Sequence, residues 1–344
     1  MIRMASPDAG PVLVTGATGF LGTHVVRALV AAGVRVRALV RGGGGASPEV
    51  TACCVADLND HAALERACSG VQAVVHLAGR AHVSGEPPDA ARLAFERVNV
   101  AGTRAVVAAA RVAGVPLVVH VSSIGAVATT AGQVVTAHTR PAPDTPYGVS
   151  KLRSEKAAAE AADATQAVLV LRPTLVYGPA MRGNPLRLFN LVARGVPLPV
   201  AGVANRRSVL YVSNFAADVV AAVGRAWAPG VHTFAVADGL GVSTAELAEA
   251  MGRALGRPAR LVRCPLALLR AAGAVGSMVR HAVPVPITRD AVERFAGSLV
   301  VDAHDWHEAL GHRPRVSLDD ALAATATWYR TGAGGPVGDA TSLR

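Results

Sequence analysis

Short apolar runs alternate with longer stretches of helical period through the first half of the chain. Residues 11–15, 34–40, 51–55, 73–77, 117–121 and 168–171 read as strands, and 19–32, 62–68, 90–113 and 147–162 as helices. Apolar runs followed each time by a helix are the pattern of a parallel sheet covered by helices on both faces. The expected fold is therefore α/β, a Rossmann-type doubly wound parallel sheet over residues 11–180 that also takes strands from later segments. From Met181 onward the regularity is lost, with Pro185, Pro197 and Pro199 breaking the apolar pieces. That stretch predicts a smaller C-terminal substrate-binding lobe over 181–331, capping the carboxyl ends of the strands, where open parallel sheets bind ligands. Residues 1–10 and the glycine-rich 332–344 read as flexible tails.

Composition narrows the function classes. A chain of 344 residues that is 51% apolar can build its core without staples. Cys53, Cys54, Cys68 and Cys264 have neither disulfide-framework nor metal-site spacing, so a reducing, cytoplasmic setting and no metal are expected. Residues 265–279 are the most lipid-like stretch, but Arg270 interrupts them and they fall short of the roughly 20 apolar residues a bilayer span needs. A surface helix or a dimer contact is expected there, and no membrane partner. The formal charge of +10 comes from scattered arginines with no aromatic-interleaved basic run, which argues against nucleic acid. Lysine occurs only at Lys151 and Lys156. In a chain that otherwise uses arginine, a retained lysine suggests work for a compact ammonium on a flexible stem, and Lys151 is the first candidate.

Two local patterns carry chemistry. After the first strand comes Gly16-Ala17-Thr18-Gly19-Phe20-Leu21-Gly22, leading straight into a helix. Glycines at that junction permit a tight turn and let a pyrophosphate approach backbone N–H groups at the positive end of the helix. Farther on, Tyr147 and Lys151 stand four apart, one helical turn, so that both side chains share a face. A phenol near pKa 10 is a poor base at neutral pH, and an adjacent ammonium would bring its pKa closer to the working range. Ser122 and Ser123 end the strand 117–121, and the hydroxyl of Ser123 is the candidate partner for a substrate oxygen.

Together these motifs resemble the extended branch of the short-chain dehydrogenases/reductases, the NAD-dependent epimerase/dehydratase group, over roughly residues 11–331. The glycine loop resembles that branch's TGxxGxxG. The resemblance implies Ser123, Tyr147 and Lys151 as catalytic residues. It implies cofactor contacts from Gly16, Thr18, Gly19, Phe20, Leu21, Gly22, Asp57, Leu58, Leu77, Ala78, Gly79, Asn99, Ser122, Tyr147, Lys151 and Pro173. Val40 stands where NAD enzymes of the branch carry an aspartate, and Arg41 follows, which favours NADP over NAD. Arg172 to Pro179 is similar to the group's RPxxVYGP segment. Arg207 falls where UDP-sugar epimerases grip the nucleotide diphosphate, and His82 and Asn184 are further substrate-contact candidates.

The resemblance implies hydride transfer at carbon 4 of a nucleotide sugar, by a 4-epimerase or a 4-keto-sugar reductase, in a homodimer. Ile124-Gly125 replace the acidic pair of the 4,6-dehydratases, which argues against dehydration, and Leu175 replaces an amide found in many epimerases. Two alternatives stay open: a reductase of a non-nucleotide ketone of steroid or flavonol type, and a cofactor-binding regulator without turnover.

Overall fold

The computed structural model describes residues 10–41, 50–55, 57–81, 86–279, 292–293 and 296–331. Residues 42–49, His82, residues 1–9 and residues 332–344 are among those outside the described residues. β1 (Val12–Thr15), β2 (Val36–Arg41), β3 (Val50–Val55), β4 (Ala73–His76), β5 (Leu117–Val121), β6 (Ala167–Pro173) and β9 (Gly230–Val236) form one parallel sheet in the order β3-β2-β1-β4-β5-β6-β9. This is the expected Rossmann-type α/β sheet. The strand order reverses between β1 and β4, and the crevice outside their carboxyl ends is where such sheets take ligands.

Alternation along β1 assigns its side chains to two cores. Val12 and Val14 join Val25 and Leu29 of α1 (Phe20–Ala31) and Phe215 and Val219 of α7 (Val212–Val223) on one face. Leu13 faces the other way, with Leu64 of α2 (His61–Cys68), Val106 of α4 (Gly102–Val112) and Ala158 of α5 (Pro146–Ala161). Burial on both faces explains why the strands read as continuous apolar runs.

The helix expected over 90–113 is divided. α3 (Pro88–Phe95) runs into a π-helical turn, Glu96–Ala101, before α4 begins. Such an insertion turns one side chain out of helical register and is frequent at functional sites; here it contains Asn99.

A further core joins β7 (Leu175–Tyr177), β8 (Val209–Tyr211), α6 (Asn184–Ala193), α8 (Thr244–Leu255) and the helix Leu318–Arg330. β7 and β8 pair in parallel as a separate two-stranded sheet. Phe20 and Leu21 at the start of α1 pack against this core, joining it to the glycine loop. The seventh strand, β9, comes from the less regular part of the sequence and pairs with β6 along its whole length.

Candidate active site

The glycine loop is shaped by close backbone approach. Gly16 has φ +68°, and a Cβ there would come within 2.7 Å of the Ala78 nitrogen. A Cβ on Gly22 would lie 2.0 Å from the Gly16 carbonyl oxygen, so no side chain fits. Gly19, at the N-cap, donates its N–H to Gly16 O at 3.0 Å, and a Cβ there would meet only that same oxygen within 4 Å. α1 starts with no side-chain cap and no acid in its first turn. Its leading N–H groups and positive end thus suit a phosphate. Thr18 is exposed beside them, while the Phe20 and Leu21 side chains are turned into the core described above.

Arg41 is exposed at the carboxyl end of β2, next to buried Val40. Asp57 accepts hydrogen bonds from Arg97 and from Asn59, and that Arg97 contact, with Asn59 behind it, holds its carboxyl below the usual range. Leu58 packs against the core of the α2–α4 face and lies against Gly102.

Beneath the loop a buried chain of hydrogen bonds ties β1 to β4 and to the π turn. Thr103 Oγ1 donates to Asn99 O at 2.6 Å, so it accepts from His76 Nε2 at 3.0 Å. His76 Nδ1 is then the acceptor for Thr15 Oγ1 at 2.7 Å, and Thr15 in turn accepts the Ala78 N–H at 3.1 Å. The chain requires a neutral ring, and burial followed by the nearby Lys151 cation lowers the His76 pKa to about 3. His120 stacks on His76 with ring centroids 5.4 Å apart. Ser154 Oγ donates to Lys151 O, so His120 Nε2 donates to Ser154 and leaves Nδ1 bare. The segment Leu77-Ala78-Gly79 runs over this chain, and a Cβ on Gly79 would sit 3.4 Å from Asn99 Oδ1 and 3.9 Å from Lys151 Nζ. Asn99 also accepts the Arg80 N–H at 2.7 Å and donates to Arg80 O and Ser150 Oγ. One asparagine that the π turn positions therefore ties the segment after β4 to Ser150, the residue before the lysine.

α5 begins with Thr145 accepting the Gly148 N–H at 3.1 Å and with Pro146 in the first turn, which sets Tyr147 at the helix start. The Tyr147 phenol lies beside the Ser123 hydroxyl, and its ring lies edge-on to Phe95 with centroids 6.1 Å apart. Ser123 Oγ also accepts the Gly125 N–H at 3.1 Å. One turn on, Lys151 is buried and donates to Val121 O at 2.9 Å. Here the sequence reasoning needs correction. Burial raises the Tyr147 pKa and the neighbouring Ser123 hydroxyl offsets only part of that, while the Lys151 ammonium is directed at the Val121 carbonyl. Burial also lowers Lys151 to about 8, against the opposing pull of Glu155.

Sequence reasoning missed Glu155, four residues beyond Lys151 on the same helix face. Its carboxylate takes two hydrogen bonds from Arg172, at 3.0 and 2.7 Å, and one from Ser122 Oγ at 2.5 Å, all buried. Ser122 thus spends its hydroxyl on the support of the site. The only local signal was the eight-residue interval from Tyr147. Pro173, the next residue after Arg172, ends β6 in a fully buried run.

The substrate candidates are spread more widely. Asn184 is exposed at the start of α6. Arg207 donates from Nη1 to Gly297 O at 2.9 Å and from Nη2 to Thr129 O at 3.1 Å, so its guanidinium also fastens two loops together. Among the described residues no cluster of His, Cys, Asp or Glu is placed to hold a metal.

Residues 12–236 match the NAD dependent epimerase/dehydratase family. The chain belongs to that family. Across nearly their whole lengths it is similar to two curated enzymes. One is the UDP-glucose 4-epimerase of Vibrio cholerae, 31% identical over 324 residues, covering 92% of this chain and 94% of that one. The other is the ceramide reductase of Caulobacter vibrioides, 31% identical over 338 residues, covering 95% and 96%. It is also similar to the solved structure of MoeE5 in complex with UDP-glucuronic acid and NAD, at 27% identity and a TM-score of 0.72, covering 94% of this chain and all of that one. As a family member it is a nicotinamide-cofactor oxidoreductase of the epimerase type on a Rossmann fold.

Proposed function

We propose that this epimerase/dehydratase family member carries out reversible hydride transfer at carbon 4 of a nucleotide sugar, as a 4-epimerase or a 4-keto-sugar reductase. The observation that carries the reading is the Tyr147 phenol beside Ser123, with buried Lys151 one helical turn away at the carboxyl ends of the sheet. When bound at the glycine loop, a nicotinamide dinucleotide supplies the hydride acceptor and donor. Ser123 holds the substrate oxygen, and Tyr147 takes or returns that oxygen's proton. Lys151 provides the positive charge for the cofactor ribose, while Glu155, Arg172 and Ser122 fix the lysine's helix against β5 and β6. The Vibrio epimerase and MoeE5 complexes favour a UDP-sugar as substrate.

Arg41, exposed at the end of β2 with valine in place of an acid before it, supports NADP as the preferred coenzyme. NADP(H) is expected to bind more tightly than NAD(H), and Arg41→Ala to erase the difference, in fluorescence titrations of each coenzyme. Equal affinities in the wild type would remove this part of the reading and favour an epimerase that retains NAD.

Arg207 tests the substrate class. A guanidinium on a diphosphate binds ground and transition states nearly alike, so Arg207→Ala should raise KM for a UDP-sugar about tenfold or more with a smaller change in kcat. UDP should inhibit the wild type competitively. A second reading, reduction of an apolar ketone, has one specific observation in its favour: Leu175, in the position of an amide in many epimerases, is 39% exposed on β7. The likeness to ceramide reductase points the same way. Absence of UDP inhibition together with unimpaired ketone reduction by Arg207→Ala would select it.

A further inference from the structure

α9 (Leu266–Val279) covers little of the protein with its inward face, where Leu266 and Leu269 are only half-buried beside two glycines. Its buried positions are Gly273 and Gly276, three apart on one face, among the described residues. Leu268, Ala271, Ala272 and Val275, at the i, i+3, i+4 and i+7 positions of one stripe, are all exposed, Leu268 by 62% and Val275 by 60%. An amphipathic helix packed for stability directs its leucines inward and avoids glycine, the poorest ordinary helix former. Here the glycines allow the backbone to lie close on the protein, Leu266 and Leu269 are only half-buried, and Leu268 and Val275 are presented outward.

Charge identifies what that stripe meets. Residues 251–279 contain Arg253, Arg257, Arg260, Arg263 and Arg270 and no aspartate or glutamate. Arg253 is paired with Asp319 at 3.1 Å and Arg270 with Glu293 at 2.8 Å. Arg257, Arg260 and Arg263 are exposed, and no acid among the described residues pairs with them. Among the described residues Arg257 donates to a carbonyl, that of Ala193. The segment carrying Arg260 and Arg263 is strapped to 198–201 by Leu198 N–H to Arg260 O at 2.7 Å and Val262 N–H to Leu198 O at 2.8 Å. A fixed cationic edge therefore leads directly into an exposed apolar stripe.

We propose that α9 and the arginines before it dock on an anionic lipid surface, with the helix lying in the interface plane. An apolar stripe preceded in the chain by arginines that no described acid pairs fits the boundary between anionic headgroups and acyl chains. Crossing is not involved, since no described helix is long and apolar enough for it. The sequence expectation of no membrane partner considered only spanning, because the outward turn of Leu268 and Val275 is set by tertiary packing. The proposal does not depend on which ketone or alcohol Tyr147 serves.

The test is flotation of the full chain on vesicles of phosphatidylcholine with phosphatidylglycerol, and on vesicles of phosphatidylcholine alone. The protein should float with the anionic vesicles only and detach as salt rises. Leu268→Ser with Val275→Ser, and separately Arg260→Gln with Arg263→Gln, should each cut the floated fraction at least about fivefold. Coenzyme affinity and thermal melting should stay at wild-type values, which separates lost docking from lost folding. Failure of the wild type to float, or flotation unchanged in both variants, overturns the proposal. So does a serine pair that only shrinks an oligomer in sedimentation velocity, which would make the face a contact between copies of this chain.

Discussion

Tyr147→Phe is expected to lower turnover at least about 100-fold, some 2.7 kcal/mol of barrier, while coenzyme affinity stays close to wild type. The substitution deletes the one hydroxyl that meets Ser123 and leaves the ring in its edge contact with Phe95, so the helix start keeps its packing. Burial raises the phenol's pKa, so Tyr147 is protonated at neutral pH and ready to donate to a carbonyl oxygen. Steady-state kinetics and coenzyme titration on the same preparation measure the two quantities. Wild-type turnover in the variant would mean that another group moves the proton.

Lys151→Met should damage both functions, cutting turnover by a similar factor and weakening coenzyme binding about tenfold or more. The thioether fills the space, but it leaves Val121 O without its donor and removes the only ammonium near Gly79 and Asn99. The wild-type rate should carry an alkaline limb. Lys151 is lowered to about 8 by burial, so the ammonium is present below that pH and is lost as pH rises through it. The methionine variant should show no such limb in its residual rate. Lys156→Arg, at an exposed position of the same helix, should be nearly silent. A pH-rate profile of all three proteins checks the set, and an unchanged alkaline limb in Lys151→Met would show that the limb belongs to another group.

The features legible in the sequence were those encoded by short spacing. Gly16, Gly19 and Gly22 needed only the strand before them and the helix after them, and Tyr147 and Lys151 needed only one helical turn. Alternating apolar runs likewise foretold the parallel sheet, since strands buried on both faces leave that signature. What escaped depends on contacts between distant segments. The Arg172–Glu155 pair spans 17 residues and exists because β6 lies beneath α5. The carbonyls that take the Arg207 guanidinium come from 90 and 78 residues away, so no local pattern could show that this arginine also fastens loops. The stacked His76 and His120 rings meet only because β4 and β5 are neighbours. The π turn at Asn99 was hidden inside a good helical period. The effect of Lys151 on Tyr147 was misjudged for the same reason: spacing put them on one face, but the direction of the ammonium is set by Val121 on another strand.

The central claim is that this site moves a hydride to and from carbon 4 of a nucleotide sugar. The most direct measurement follows deuterium from a UDP-sugar labelled at that carbon, incubated with the purified enzyme and oxidised coenzyme and quenched within the first turnover. The account predicts deuterium on the nicotinamide, a normal primary isotope effect on sugar consumption, and neither in Tyr147→Phe. An unlabelled nicotinamide with every UDP-sugar tried, from an enzyme that does transfer deuterium from a labelled apolar alcohol, would contradict it.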